Sequence, residues 1–455
     1  MIKALSRIAL TVAVIGAAAG CGRGGQSTPQ RTLTIAYTND MLGEIRTCGC
    51  SDKDSGGLGR RATFVAQARD TTGDFLLFEG GDFFGKGINY GAEKADLTMR
   101  SMKLMGYDGV VIGEADLGFG IDFVRDRARA LKLPVVVSNL WDAAADTLFF
   151  PATRRATLSS GLRVGIIGVI GNRLVLPPQV KPESVRIVDP VEAVSPLVAS
   201  MRDSVDVVVV LAHMQKGEME RVATVVDGID VIVYGHEGEP DRRLQKVNGA
   251  YPLQTVADRG RWVGTAFAVL GDEGHIQSMS NSFTQLTDYY EDDEAITKLF
   301  ESYDLNIAAK ENADLPVGVY ETKKAPKVPY STAEACKDCH EDVYDQWAGT
   351  KHAQAFEILL GQSREYDRDC TPCHTTGFYK LGGFVSYKST PELTNVQCEA
   401  CHGIGHDHVD DPSVKTVGEA RVVCQSCHNQ DMSPDFDFDV YWPRIQHGTT
   451  AAAGE

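Results

Sequence analysis

From residue 31 to about residue 285, short apolar runs alternate with longer stretches that mix apolar and polar residues. The apolar runs predict strands at Leu33–Tyr37, Phe75–Phe78, Gly109–Ile112, Pro134–Val137, Arg163–Ile170, Asp206–Leu211 and Asp230–Tyr234. The mixed stretches predict helices at Arg61–Arg69, Lys94–Leu104 and Asp122–Leu131. Runs without polar interruption are typical of strands that are covered on both faces. This pattern predicts layered α/β sheets that are flanked by helices.

The end of this region loses the alternation with helices. Three runs without long helices between them predict an antiparallel edge or a second sheet: Tyr251–Val256, Trp262–Leu270 and His275–Phe283. The next segment, Asp288–Asn312, predicts a helix with an apolar face that comprises Ile296, Leu299, Phe300 and Leu305. Ala325–Pro329 then predicts an extended joint. We therefore expect a domain over 31–285, a linker helix and joint over 286–325, and a second domain over 326–455.

The first thirty residues do not belong to either domain. Lys3 and Arg7 precede an apolar run, Ile8–Ala19, which predicts a secretory signal over 1–20, followed by a flexible tether over 21–30. The run ends at Cys21 and resembles the lipobox of bacterial lipoproteins, which implies cleavage before this residue and lipid on its sulfur. Ordinary cleavage with a spare thiol is the alternative. We expect a lipoprotein that faces the periplasm from the outer membrane or the cell envelope.

Composition and charge argue against a disordered protein, a polytopic membrane protein and a nucleic-acid-binding protein. The 455 residues are 43% hydrophobic and 24% charged, as in ordinary globular proteins. The net charge of −17 argues against a nucleic-acid partner. Eight of the eleven cysteines and eight of the eleven histidines lie after residue 330. Such sorting is typical of metal or haem sites.

Potential metal ligands follow directly after the predicted strands. They are Asp40, Asp82, Glu114, Asp116, His213 and His236. The carboxyl ends of the strands of an open α/β sheet are where such sites form. Carboxylates and imidazoles together predict a site for one divalent metal ion.

Six stretches in this region resemble the calcineurin-like metallophosphatases of the 5'-nucleotidase type. They are Tyr37–Ile45, Gly56–Thr63, Phe78–Gly87, Tyr107–Gly120, Val210–Glu218 and Val231–Pro240. The resemblance covers about residues 31–285. It implies that Asp40, Asp82, His213 and His236 are metal ligands, with Glu114 in place of an asparagine ligand.

The sequence departs from this family at catalytically important positions. Leu42 and Gly238 stand where the family has ligands, Ala115 replaces its catalytic histidine, and Gly118 replaces the partner of that histidine. One metal position keeps four ligands, whereas the other keeps Asp40 and Asp82 alone. Two-metal catalysis needs both ions. We therefore expect a phosphatase fold without phosphatase activity.

A pair of cysteines, Cys48 and Cys50, follows the Asp40 strand. The pair could supply soft metal ligands, form a redox-active disulfide, or be structural. Some relatives of this phosphatase group look similar, with a cysteine-bearing loop before the Gly-Gly-Leu stretch. The C-x-C spacing does not decide between these alternatives.

The C-terminal quarter contains four copies of the motif Cys-x-x-Cys-His. The copies contribute Cys336, Cys339 and His340; Cys370, Cys373 and His374; Cys398, Cys401 and His402; and Cys424, Cys427 and His428. In this motif two thiols attach a c-type haem and the histidine binds its iron. We therefore expect four haem c groups, packed closely by short spacers within a small domain of short helices and irregular chain.

The surroundings of three further histidines resemble the tetrahaem cytochromes c of the nitrifier type. The resemblance implies that His352, His408 and His447 are distal haem ligands. Three distal histidines for four irons leave one haem five-coordinate.

Three functions compete. The first is a lipid-anchored tetrahaem electron-transfer protein whose phosphatase-like domain is a scaffold or metal-binding module. It would receive electrons from a redox protein or a quinol-linked donor. The second is an active metal-dependent phosphoester or nucleotide hydrolase that carries a cytochrome. The third is a redox enzyme that uses the open haem or the Cys48/Cys50 pair. The four haem motifs favour the first.

Overall fold

The structure is a computed structural model of the full chain. It describes residues 31–47, 55–85, 91–236, 244–257, 259–271, 274–313, 330–362, 364–378, 380, 382–414, 419–429, 432–433 and 435–447.

Thirteen strands are present in the described part of the N-terminal region. They are β1 (Thr32–Thr38), β2 (Asp74–Glu79), β3 (Gly109–Val110), β4 (Leu140–Asp142), β5 (Thr147–Leu148), β6 (Thr153–Thr157), β7 (Arg163–Ile170), β8 (Val185–Ile187), β9 (Val207–His213), β10 (Val231–Gly235), β11 (Tyr251–Leu253), β12 (Trp262–Leu270) and β13 (Ile276–Gln285). One five-stranded sheet has the order β13-β12-β1-β2-β3, and another has the order β11-β10-β9-β7-β6. A small third sheet has the order β5-β4-β8.

Residues along the central strands contribute alternately to two apolar cores. In β9, Val207, Val209 and Leu211 belong to the core shared with β1 and β2, whereas Val208 and Val210 belong to a second core with residues of the flanking helices. Successive side chains of a strand point to opposite faces, so an unbroken valine run can fill both cores. The first core therefore lies between the two large sheets.

Six α-helices accompany the sheets in the described part of this region. They are α1 (Leu58–Thr71), α2 (Gly91–Met105), α3 (Ile121–Leu131), α4 (Pro190–Met201), α5 (Lys216–Val225) and α6 (Glu294–Ala313). The start of α4 shows how the sequence fixes a boundary. Pro190 occupies the first turn, and the Asp189 carboxylate accepts hydrogen bonds from the amides of Val191 and Glu192.

The C-terminal region consists of short helices and irregular chain, as predicted. The α-helices are α7 (Thr332–Lys337), α8 (Glu341–Ala348), α9 (Glu357–Gly361), α10 (Thr371–His374), α11 (Cys398–His402), α12 (His406–Asp410), α13 (Ala420–Cys427) and α14 (Phe438–Tyr441). Its one buried apolar cluster in the described residues comprises Tyr330, Phe356, Leu359, Phe378, Phe384 and Leu393.

Several predicted elements differ from the structure. Pro134–Val137 is not a strand, because only Val135 forms an isolated bridge, with Val110. The run that begins at Tyr251 is not antiparallel; β11 pairs in parallel with β10. The linker helix begins at Glu294, six residues later than predicted, and Leu305 on its predicted apolar face is 72% exposed. The antiparallel pairing of β12 with β13 is confirmed.

Candidate metal centre and paired histidines

Four predicted metal ligands converge at the carboxyl ends of neighbouring strands. Asp82 follows β2, Glu114 follows β3, His213 ends β9, and His236 follows β10. One ligand atom from each side chain can be chosen so that all four atoms lie within 4.8 Å of one another. Two imidazoles and two carboxylates at this spacing fit one divalent metal ion.

Glu114 lies between the two histidines. Its Oε2 is 3.0 Å from His213 Nε2, and its Oε1 is 3.1 Å from His236 Nδ1. His213 Nε2 is also 3.6 Å from Asp82 Oδ2. The other ring nitrogen of His213, Nδ1, is 2.8 Å from the Gly80 carbonyl oxygen and donates to it. This bond orients Nε2 towards the carboxylates, as the outer-shell partner of a metal-binding histidine does.

Burial and neighbouring charges shift the pKa values of the ligands at this centre. Burial raises the pKa of Asp82 to about 6; the neighbouring His213 opposes this rise and Glu114 adds to it. Burial alone would lower the pKa of His213, yet the carboxylates of Asp82 and Glu114 raise it to about 10. The site therefore favours a positive charge between its carboxylates, which a bound cation would supply.

The backbone at these ligands is strained. Asp40, Asp82 and His236 have φ values of 52°, 56° and 121°, a region that residues with side chains rarely adopt. Gly113 leaves no room for a side chain, since a Cβ there would lie 2.1 Å from Asp82 Oδ1 and 2.6 Å from His213 Nε2. Such strain is concentrated at functional sites.

Asp116, considered as a potential ligand from its position after β3, has a scaffolding role instead. Its carboxylate is fully buried and accepts hydrogen bonds from the amides of Asp82 (2.8 Å), Phe84 (2.7 Å) and Gly113 (2.8 Å). It thus joins the loop that carries Asp82 to the loop that carries Glu114. The sequence shows a carboxylate two residues after a ligand but does not show which amides it binds.

Asp40 lies beside the centre but outside the four-ligand group. Its Oδ2 accepts hydrogen bonds from Asn39 Nδ2 at 2.5 Å and from the amide of His236 at 3.2 Å. Leu42 is 40% exposed, and Ala115 donates its amide to Asp82 Oδ1 at 2.9 Å. Gly238 lies outside the described residues. The structure therefore brings together four of the five metal ligands that the family resemblance implies.

In the C-terminal region, three of the four motif histidines each face one of the predicted distal histidines. The ring centroids of His340 and His408 are 6.1 Å apart, those of His352 and His428 are 6.1 Å apart, and those of His402 and His447 are 5.6 Å apart. Metal–imidazole bonds of about 2 Å place the centroids of two axial imidazoles roughly 6 Å apart. The three pairs fit this separation.

Three of these rings have one nitrogen engaged by a nearby oxygen. His408 Nδ1 lies 2.6 Å from the Val414 carbonyl, His447 Nδ1 lies 3.0 Å from the Ile445 carbonyl, and His428 Nδ1 lies 3.2 Å from Ser433 Oγ. When Nδ1 donates a proton to such an oxygen, Nε2 keeps its lone pair for a metal. The rings therefore suit axial ligation of iron.

His374 differs from the other motif histidines. Its Nδ1 donates to the Ala355 carbonyl. Within the described part of the chain, no second histidine ring packs against it. His406, a neighbour of His408, has its Nε2 3.8 Å from Asp410 Oδ2 and faces none of the motif histidines among the described residues.

Cysteines of different motifs lie close together. Cys336 lies beside Cys398, and Cys373 lies beside Cys427. The first motif thus lies beside the third, and the second beside the fourth. All eight cysteines are described, and none of them forms a disulfide.

The last part of the chain has apolar side chains but no core of its own. Among the described residues after Leu393, no apolar side chain is buried. Several are instead exposed: Ile404, Val409, Val414, Val422, Val440 and Tyr441. Exposed apolar groups around paired histidines fit a large apolar cofactor that would cover them.

Three predicted residues, Cys21, Cys48 and Cys50, lie outside the described residues. Among the residues that are described, no helix has both the length and the apolar character needed to cross a bilayer.

Two classes of protein match the two parts of this chain. Residues 335–403 match the family model described as cytochrome c554 and c-prime. The chain is 34% identical over 98 residues to cytochrome c-554 of Nitrosomonas europaea. This match covers 18% of this chain and 42% of that protein. The N-terminal part of the chain is 26% identical over 248 residues to an apyrase of Tabanus yao. This match covers 51% of this chain and 44% of that protein.

A solved structure supports the second class. The 5'-nucleotidase precursor of Thermus thermophilus has a TM-score of 0.53 and 22% identity, covering 61% of this chain and 59% of that one. The chain spans less than half the length of the curated relatives just named. The N-terminal region thus has the metallophosphatase fold of the 5'-nucleotidases, and the C-terminal region is related to cytochrome c554. A cytochrome c relationship implies covalently bound haem c.

Proposed function

We propose that this protein is a tetrahaem electron-transfer protein, anchored by lipid on Cys21 and facing the periplasm. The haem domain comprises 326–455 and exchanges electrons with a redox protein or a quinol-linked donor. The N-terminal domain, 31–285, is a scaffold that binds one divalent metal ion and has lost phosphatase activity. A signal over 1–20, a tether over 21–30 and the linker over 286–325 complete this organisation.

The observation that carries this proposal is the separation of the three imidazole pairs. Each pair combines one motif histidine with one distal histidine at a distance that suits a single iron between them. The ligands are then His340 with His408, His428 with His352, and His402 with His447. Bis-histidine haems are low-spin and have no vacant position, which suits electron transfer rather than substrate binding.

The haem of Cys370, Cys373 and His374 is the exception. With His374 as its one histidine ligand, its iron is five-coordinate. The carbonyl of Ala355 holds the ring of His374 in place. This haem is the candidate for a small ligand or for contact with a partner.

The metal centre favours a second candidate function, a phosphoester or nucleotide hydrolase. Asp82, Glu114, His213 and His236 keep the spacing of a metal site. A metal held there would polarise a phosphoryl oxygen. Against this function, Ala115 offers no acid or base to a leaving group, a loss that typically costs 10²–10⁴ in rate. Leu42 offers no ligand for a second ion.

The redox-enzyme alternative would use the open haem or the Cys48/Cys50 pair to convert a small substrate. It requires substrate turnover linked to the high-spin iron. The three paired haems favour transfer over turnover.

Two measurements on the purified full chain test the proposal. Mass spectrometry should find four covalent haems, and fewer than four would contradict the assignment of the motifs. Nucleotide or bis(p-nitrophenyl) phosphate hydrolysis should be absent. Turnover that disappears in Asp82→Ala but persists in the matched surface variant Asp288→Ala would establish the hydrolase instead.

Membrane attachment is tested separately. Cys21→Ser should release the protein from the membrane fraction, whereas the variant should stay there if lipid on this residue is not the anchor.

A further inference from the structure

The segment just before the second haem motif lies against the N-terminal domain. Arg364 Nη1 donates to the carbonyl of Thr47 at 3.2 Å. Asp369 forms an ion pair with Lys94 of α2. A cleft runs between the two parts, lined on one side by Ile45, Arg46, Thr47 and Phe300 and on the other by Gln362 and Arg364. The junction is therefore adjacent to Cys370 in sequence and contacts the N-terminal domain at two points.

Arg364 connects this junction to the second haem motif. Its Nε and Nη2 atoms donate to Asp367 Oδ2 at 3.1 and 2.9 Å, which fixes the guanidinium in place. The carbonyl of Asp367 in turn accepts hydrogen bonds from the amides of Cys370 and Thr371 at 3.0 and 2.9 Å. Hydrogen bonds thus run from Thr47 through Arg364 and Asp367 to the second haem motif.

The loop that Arg364 contacts leads directly to the metal centre. Residues 40–47 follow β1, and the amides of Asp40 and Leu42 donate to the carbonyls of Gly81 and Asp82, both at 2.9 Å. Met41 and Ile45 of the loop are buried. The seven residue-to-residue steps from Asp40 to Thr47 span at most about 25 Å, within the range over which sites are coupled through packed structure.

We propose that the loop over 40–47 couples occupancy of the metal centre to the reduction potential of the His374 haem. This inference rests on the proposed function, which puts a metal among Asp82, Glu114, His213 and His236 and a haem on His374. The N-terminal domain is then a regulatory part of the relay rather than a separate module.

The sign of the coupling follows from charge. A divalent cation adds positive charge on the N-terminal side of the junction, and positive charge favours ferrous over ferric iron. Because binding free energies are reciprocal, reduction of this haem must strengthen metal binding by the same factor by which the metal favours reduction.

The test is a redox titration of the full chain with and without Zn²⁺, which has no redox chemistry of its own. The high-spin signal reports the His374 haem and the low-spin signals report the other three. We expect Zn²⁺ to shift the ferrous-to-ferric ratio of the high-spin haem at least threefold towards ferrous iron, and to shift the low-spin haems less. Calorimetry on the oxidised and reduced protein should show the same factor in Zn²⁺ affinity.

Variants at the junction separate coupling through the contacts between the two domains from diffuse electrostatics. Asp369→Asn removes the exposed half of the ion pair with Lys94 and should reduce the effect of Zn²⁺. Arg364→Gln should also reduce the effect of Zn²⁺. Loss of the guanidinium charge should shift the ferrous-to-ferric ratio of this haem about tenfold towards ferric iron, which lowers its potential by about 59 mV for one electron. The matched control is Glu294→Gln, which breaks the exposed ion pair with Lys298 on α6 and should change neither.

Three results would overturn the inference. One is Zn²⁺ binding by calorimetry with no shift of the high-spin haem. Another is a Zn²⁺-induced shift that is the same for all four haems and is as large in Asp369→Asn as in the parent chain. The third, the absence of a high-spin haem or of any Zn²⁺ binding, would contradict the proposed function at the same time. The spin count and the binding isotherm distinguish that third result from the first two.

Discussion

The N-terminal and C-terminal regions are held together by different means. In the N-terminal region, the central strands bury their valines, leucines and isoleucines on both faces, so the polypeptide supplies its own cores. In the C-terminal region, the described residues after Leu393 bury no apolar side chain, and Val409, Val414, Val422 and Val440 are exposed. Apolar area removed from water is the main stabilising term of folding. We therefore expect the part of the chain after Leu393 to depend on bound haem for the core that the first region builds from side chains.

The largest expected effect tests this dependence. Replacing Cys398 and Cys401 by Ser should eliminate one of the two haems attached after Leu393 and remove much of the apolar cover of the chain from 398 to 447. We expect rapid proteolysis within this segment and an intact N-terminal domain, read by mass spectrometry of the fragments. His406→Ala, which alters none of the three pairs, is the control. A protease-resistant segment in the double variant would contradict the comparison.

The next effect concerns the N-terminal core. Leu211→Ala removes a fully buried side chain from between the two large sheets and should lower the free energy of unfolding by about 2–5 kcal/mol. Denaturant unfolding, followed by far-ultraviolet circular dichroism, measures the change. Leu305→Ala is the matched control, because Leu305 is largely exposed and should stay within about 0.5 kcal/mol of the parent. Equal effects of the two substitutions would show that the core was misassigned.

A buried carboxyl makes the N-terminal domain sensitive to pH. Burial raises the pKa of Glu79 to about 7, although Arg61 and the hydroxyl of Thr38 oppose the rise. Between about pH 4.5 and pH 7 the folded state therefore keeps a proton that the unfolded state has lost. The contribution of Glu79 to the free energy of unfolding is greatest below about pH 4.5 and falls as the pH rises to about 7. The total loss from this group is about 3 kcal/mol.

Glu79→Gln tests this pH dependence, because the amide cannot titrate. Unfolding titrations at several pH values should show a smaller fall in stability between pH 4.5 and 7 for the variant than for the parent. The same slope in both proteins would assign the pH dependence to other groups.

The smallest expected effect concerns the region after Leu393. Val422 is 59% exposed in the polypeptide alone, beside the motif cysteine Cys424. If a haem covers it, Val422→Ala should cost about 1 kcal/mol in the haem-loaded protein. The measurement is the midpoint of thermal unfolding followed at the Soret band. No change beyond error would mean that the macrocycle does not pack on this side chain.

Much of the fold could be predicted because its signals are local. The valine run of β9 predicts a doubly covered strand, and the positions of Asp82, Glu114, His213 and His236 after strands predict that they converge. Pro134–Val137 was wrongly predicted as a strand, since apolar composition does not show whether a neighbouring strand is in reach. For the same reason the antiparallel alternative was wrong for β11, which pairs in parallel at the edge of the second large sheet.

The sites were harder to predict wherever the partners are distant in sequence. The four motifs and three further histidines are visible in the sequence, but the pairing of His352 with His428 depends on how the chain folds. The roles of Asp116 and Arg364 were missed, because both depend on backbone groups of other segments. Gly113 was a usable signal, since a glycine before a ligand often marks a place where no Cβ fits.

The most direct test of the central claim is the spin state of the four irons in the oxidised full chain, measured by Mössbauer or electron paramagnetic resonance spectroscopy. Three imidazole pairs and one single histidine predict three low-spin haems and one high-spin haem. Four low-spin haems would show that His374 has an unassigned partner, and two or more high-spin haems would contradict the pairing of histidines on which the account depends.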